Sequence, residues 1–250
     1  MAFGKVPLQR GDKGAAVVEL QLRLAGFRGT LWDGKFGPGT ELQVVCFQRD
    51  YMRLPNPTGR VDRPTLDALL RFEAEFPIAA DKLRCPCGSC AGFGRKRFKG
   101  EYMTGDETEK NYRYEYPGMH KAILHSFRAA AFYLQRAGFP APLISSGYRC
   151  WTNNEQKGRT STNHMGKAID LDFPLVAGED KRDDALRCER GRGVLVELAN
   201  FQIGWTASNR KALEPKDIAP TWIHMDVRNY DRRYLAERFF VKPRAGAGSL

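Results

Sequence analysis

The sequence predicts an α+β protein in two parts, a three-helix bundle followed by a larger domain that mixes helices with a sheet. Three observations predict this. A phrase of glycine, basic residue, apolar anchor and threonine occurs twice, as Gly34-Lys-Phe36-Gly-Pro-Gly-Thr40 and Gly59-Arg-Val61-Asp-Arg-Pro-Thr65, each time ahead of a helical apolar pattern. A helical stripe runs from Met119 to Ala137, and Thr221 to Val227 alternates with the period of a strand.

The first helix, roughly Ala15 to Ala25, puts Val17, Leu20 and Leu24 on one face and stops at Gly26, a residue suited to a C-cap. The helix after the first phrase carries Val44, Phe47 and Tyr51 on its stripe, and the one after the second carries Leu66, Leu69 and Leu70. In the second part, Ile123, Phe127, Ala130 and Leu134 form one face of a helix that Gly138-Phe-Pro140 ends. His120 and His125 flank that stripe and read as ordinary helix residues. Pro142 to Ser146 reads as a strand, Asp183 to about Asn200 as a helix, and Thr221 to Val227 as a further strand.

Leu8-Gln-Arg-Gly11-Asp, Leu20-Gln-Leu22, Asp33-Gly-Lys-Phe36-Gly37, Phe47-Gln48 and the second Gly-x-Val-Asp-x-x-Thr resemble a peptidoglycan-binding domain of the three-helix type. The resemblance covers about residues 1–75 and implies bacterial peptidoglycan as the partner, with wall anchoring and no chemistry of its own.

Forty Lys and Arg against twenty-nine Asp and Glu leave a net charge of +11, spread along the chain. That field favours polyanionic partners such as wall polymers. No helix or ribbon clusters basic with aromatic residues, so nucleic acid is not expected as a partner. The N-terminus has no stretch like a signal peptide and no run of about 18 apolar residues occurs. The expectation is synthesis in the cytoplasm, no integral membrane association, a monomer, and action in the periplasm or wall after holin-type release or injection. The six cysteines, Cys46, Cys85, Cys87, Cys90, Cys150 and Cys188, are too few for a disulfide scaffold in a chain of this length, and reduced thiols are the default.

Residues 76–117 read as a linker or irregular elaboration, rich in Gly, Lys and Arg after Cys85-Pro-Cys87-Gly-Ser-Cys90. Three close cysteines can grip a metal, but a structural zinc takes four ligands. Cys150 or Cys188 is able to complete the set through space, or to pair in a disulfide; a plain turn with thiols is the alternative.

Two segments carry the candidate chemistry, Ser161-Thr-Asn-His164-Met-Gly166-Lys-Ala168-Ile-Asp170 and Trp222-Ile-His224-Met-Asp226. They offer two imidazoles and a carboxylate, the three-ligand set of a catalytic zinc that leaves its fourth position to water. On a strand, Trp222, His224 and Asp226 share one face. Ser145-Ser-Gly147-Tyr148-Arg149 leaves a strand through a turn and projects a guanidinium able to hold a peptide carboxylate or an oxyanion. Trp151 and Trp205 are candidates to line the cleft. The bland alternative is a pair of buried histidines with Asp170 as hydrogen-bond partner.

These segments resemble the zinc peptidases of the D-Ala-D-Ala carboxypeptidase and L-alanyl-D-glutamate endopeptidase family, with its hedgehog-like fold. Ser146-Gly-Tyr-Arg149 matches its first element and His224-Met-Asp226 its last. The resemblance spans about Met119 to Val241. It implies a mainly antiparallel sheet, His164, Asp170 and His224 as ligands of Zn2+, and Arg149 as the substrate-facing cation. Asp170 comes six residues after His164, where the family pattern has seven, and is preferred to Asp172 for its Gly-x-Ala-x-Asp context. The positions where family members place a base hold Thr221 and Trp222, so Asp226 and Glu214 are the candidates, with Asp226 also able to orient a ligand.

The function expected is a cell-wall hydrolase, an endolysin-like zinc peptidase of peptidoglycan stems or cross-bridges. Domains are expected at 1–75, 76–117 and 118–243, with a tail at 244–250. The alternative is a non-catalytic peptidoglycan-binding protein whose zinc is structural or captures ligand.

Overall fold

The computed structural model describes residues 6–29, 32–93, 118–150, 153, 156–157, 166–204, 211–227 and 240–241. Within them are α1 (Ala15–Arg23), α2 (Pro38–Asp50), α3 (Arg63–Glu75), α4 (Lys121–Arg136) and α5 (Lys181–Ala199). The strands are β1 (Met119–His120), β2 (Leu143–Ser146), β3 (Ala168–Asp172), β4 (Gln202–Ile203), β5 (Ala212–Leu213), β6 (Ile223–Asp226) and β7 (Phe240–Val241). The fold is α+β. Residues Met1–Ile78, Leu124–Ala141 and Gly193–Phe201 make one compact unit; Ala79–Ile123, Pro142–Arg192 and Gln202–Leu250 make the other.

In the first unit the two repeated phrases fold alike because a buried glutamine organises each. Gln21 Oε1 accepts Gly34 N–H at 2.9 Å, while its amide donates to Lys35 O and to Thr40 Oγ1 at 2.8 Å. Gln48 repeats this with Gly59 N–H, Arg60 O and Thr65 Oγ1 at 2.9, 2.8 and 3.0 Å. Both glycines have positive φ, 75° and 68°, a backbone that side-chain-bearing residues adopt rarely. The anchors Phe36 and Val61 are buried, and Asp62 caps α3 by accepting Thr65 N–H at 2.9 Å.

Gly26 does not act as the expected C-cap. Helix α1 ends at Arg23, and Gly26 lies outside the left-handed region. Its backbone instead meets α4 so closely that an added Cβ would stand 2.2 Å from Ala129 Cβ. Close approach, not helix termination, requires glycine here. Gly26→Ala is therefore expected to lower unfolding free energy by about 1–3 kcal/mol, read from urea melts, through overpacking of a filled core.

The helix expected to open the second domain packs mainly with the first unit. Its Phe132 and Tyr133 join Phe27, Phe47, Tyr51 and Phe72 in edge-to-face and tilted contacts with ring centroids 4.9–6.3 Å apart. The Tyr133 hydroxyl donates to buried Asp50 at 2.8 Å. The compact units thus run differently from the chain divisions at 75 and 117. The helix starts two residues later than expected, because Met119 and His120 pair with Val241 and Phe240 as a short strand. His120 Nδ1 then accepts Ala122 N–H at 3.1 Å at the helix start. Gly138, at φ 86°, ends α4 as the sequence implied, with Phe139 N–H bonded back to Leu134 O.

The second unit holds a five-stranded sheet of order β2-β3-β6-β5-β4. All neighbours are antiparallel except β4 and β5. Strand β3 was not among the strands expected. Helix α5 begins at Lys181, earlier than expected, because Asp180 Oδ1 accepts the N–H groups of Arg182 and Asp183. From this helix buried Arg192 donates to Glu214 O at 3.0 Å, to Trp222 O at 2.5 Å and to Ala219 O. That guanidinium pins the loop between β5 and β6. The described part of residues 76–117 is folded turn: Leu83, Cys85 and Phe93 are buried. Residues 94–117 and the tail at 244–250 lie outside the described residues.

Candidate functional site

The centre of the sheet brings two of the expected metal ligands together. Asp170 on β3 is the register partner of His224 on β6. Its Oδ1 lies 2.6 Å from His224 Nδ1, and both side chains are more than nine-tenths buried. Asp172 goes elsewhere: it clusters with Asp184 and Cys188 of α5. Burial and the Asp172 charge push the Asp184 carboxyl above its usual range. His164, Trp151 and Trp205 lie outside the described residues.

Arg149 approaches the same carboxylate from the turn after β2. Its Nη2 is 3.0 Å from Asp170 Oδ2, and its Nε donates to Ser146 Oγ at 2.9 Å. The turn is tightly held. Tyr148 N–H donates to Leu83 O at 2.7 Å, and an added Cβ on Gly147 would stand 2.5 Å from Leu83 Cα.

Asp226 and Glu214 occupy different environments. Asp226 is fully buried, with Oδ2 3.7 Å from His224 Nε2. Glu214 is half-buried at the end of β5, and its N–H donates to His224 O at 3.1 Å. Burial alone disfavours an imidazolium at His224, but hydrogen bonds to Asp170 and Asp226 and the nearby charges of Asp170 and Glu214 outweigh it and raise its pKa to about 10. A divalent cation would have to displace that proton; once deprotonated, the imidazole and the carboxylate from adjacent strands are donor types such a cation takes.

A second cluster, whose fourth member the sequence left open between Cys150 and Cys188, is completed by Cys150. Cys85, Cys87, Cys90 and Cys150 bring their sulfurs within 4.8 Å of one another, so the four could hold a metal ion. The missing signal was spatial, because Cys150 is far from the others in the chain. Among the described residues no helix is long and apolar enough to cross a membrane. In the first unit a cavity of about 340 Å³ is lined by Val6, Pro7, Thr58, Arg60, Asp62 and Arg63, beside the second repeat.

Residues 13–69 match the family model of the peptidoglycan binding domain. This stretch is a peptidoglycan-binding domain. It includes both repeated phrases and both organising glutamines, and peptidoglycan is the partner of such a domain. The chain is also similar to the crystal structure of the SleB N-terminal domain, at 38% identity and a TM-score of 0.26, covering 28% of this chain and 96% of that one. No curated protein matches the chain.

Proposed function

We propose that the chain is a cell-wall hydrolase, a zinc-dependent peptidase that cuts peptidoglycan stem peptides or cross-bridges and is retained on the wall by its peptidoglycan-binding domain. The observation that carries this reading is the pairing of Asp170 with His224 across β3 and β6, with Arg149 on the same carboxylate. Asp170 and His224, with His164 as third donor, are the residues that would hold the metal. Zinc in such a site supplies Lewis acidity toward a peptide carbonyl and toward water.

The chain's own groups divide the remaining work. Arg149 presents a guanidinium to a stem-peptide carboxylate or to the developing oxyanion. Asp226, buried beneath His224, orients the imidazole. Glu214, half-buried at the strand end and near enough for its charge to act on His224, is assigned here as the base in preference to fully buried Asp226. The peptidoglycan-binding domain raises the enzyme's local concentration on an insoluble polymer. The expected division is wall binding in 1–75, chemistry in 118–243, and action in the periplasm or wall.

The test is release of free amino groups from purified Gram-negative sacculi. Zinc-loaded protein is expected to release them, chelated protein to release none, and Glu214→Gln to lose at least about a hundredfold in kcat. Absence of release by the zinc-loaded protein sinks the reading. A second reading has support in the closed Ser146–Arg149–Asp170–His224 chain of contacts: a wall-binding protein without catalysis. It predicts sedimentation with sacculi and no new amino groups.

A further inference from the structure

Outside that site, the Cys85–Cys90 turn and Cys150 make a second, self-contained constellation in the second unit. Two features distinguish it from a chance gathering of thiols. The first is size. A tetrahedron with zinc–sulfur bonds of about 2.3 Å has edges of about 3.8 Å. Here all four sulfurs lie within 4.8 Å of one another, and Cys87 Sγ is 3.5 Å from Cys150 Sγ. A disulfide needs about 2.05 Å, and none of the six cysteines is bridged in one.

The second feature is the backbone around the sulfurs. Each of the four accepts a main-chain N–H: Cys85 from Cys150 and Cys90 from Gly92 at 3.3 Å, Cys87 from Ser89 and Cys150 from Asn153 at 3.4 Å. Neutral thiols are weak acceptors and do not call for a donor apiece. A tetrathiolate around a divalent ion keeps net negative charge, which converging N–H dipoles offset. Gly88 and Gly92, at φ 70° and 96°, supply left-handed backbone in the turn that carries the Ser89 and Gly92 N–H groups, and Cys85 N–H closes the loop on Gly92 O.

We propose that Cys85, Cys87, Cys90 and Cys150 hold a structural zinc ion as a tetrathiolate, separate from the Asp170–His224 site. Soft thiolate donors in a tetrahedral set select zinc among the common divalent ions. The ion ties the turn of residues 85–92 to the residue directly after Arg149. Together with the Leu83 contacts to Gly147 and Tyr148, it fixes the loop that carries this guanidinium to Asp170. Zinc binding at the four cysteines stands or falls independently of the peptidase reading.

The experiment uses the full chain loaded with zinc and freed of excess metal. His224→Ala is expected to retain the thiolate-bound zinc, about one equivalent per chain, and Cys87→Ser/Cys90→Ser to lose it. Cobalt exchanged into wild type and into His224→Ala should show intense thiolate-to-metal charge-transfer absorption that the double variant lacks. Equal zinc content in His224→Ala with and without the two serine substitutions, or cobalt without thiolate bands, overturns the proposal. The unmutated protein gives a check that does not depend on the variants folding. Cys87 and Cys90, both partly exposed, should resist iodoacetamide when zinc is bound and react after chelation. Equal alkylation with and without zinc, or a mass showing disulfides among the four, overturns it as well.

Discussion

Asp170→Asn is expected to cut amino-group release from sacculi by at least about a hundredfold, with sedimentation on sacculi unchanged. Asparagine keeps the shape of the side chain and removes its charge. That charge serves two neighbours at once, Arg149 Nη2 at 3.0 Å and His224 Nδ1 at 2.6 Å. On the proposed peptidase reading its loss weakens a metal ligand, and it releases the guanidinium from its alignment. Asp172→Asn is the matched control, two residues along the same strand. Asp172 sits with Asp184 and Cys188 rather than with His224, so its variant should stay within about threefold of wild type, since it contacts none of the reacting groups. Equal activity of Asp170→Asn and wild type would remove the Asp170–His224 pair from the chemistry.

Gln48→Ala is expected to destabilise the protein by about 3 kcal/mol or more, measured by urea denaturation of the first unit's aromatic signal. The side chain is buried and serves the second repeat from both ends of its amide. Its oxygen accepts Thr58 N–H and Gly59 N–H at 2.9 Å; its nitrogen donates to Thr58 Oγ1, Arg60 O and Thr65 Oγ1. Truncation strands several of these groups away from water, at about 1–3 kcal/mol each before any water enters the space. Gln48→Glu keeps the acceptor for the two N–H groups and loses the donor, so an intermediate loss is expected. A Gln48→Ala protein within about 0.5 kcal/mol of wild type would show that the glutamine does not hold the repeat together.

Some features were legible because they depend on neighbours in the chain. Glycine at Gly34 and Gly59, an apolar anchor two residues on, and a threonine at the next helix start are local requirements of a turn that enters a helix, so their repetition was visible. Period-two alternation at Thr221–Val227 likewise placed His224 and Asp226 on one face of a strand. Alternation was also present in Ala168-Ile-Asp-Leu-Asp-Phe173, yet its two carboxylates masked the strand, because charged residues are rare in a central strand without a functional reason. Gly26 shows the opposite limit. A glycine after an apolar helix reads as a cap from sequence, and only the 2.2 Å approach to Ala129 shows that it makes room for a neighbouring helix.

By itself the sequence determined the α+β class, the peptidoglycan-binding domain, and the residue types from which both metal-binding candidates are assembled, since these rest on periodicity and turn chemistry within short windows. The tertiary structure decided what those residues meet. It set Asp170 opposite His224 through strand register and sent Asp172 to Asp184 and Cys188. It sank Asp226 beneath the imidazole while leaving Glu214 half-buried, and it carried Cys150 to the Cys85–Cys90 turn. Register, burial and convergence depend on how distant segments pack, and no local pattern in a single chain records that packing.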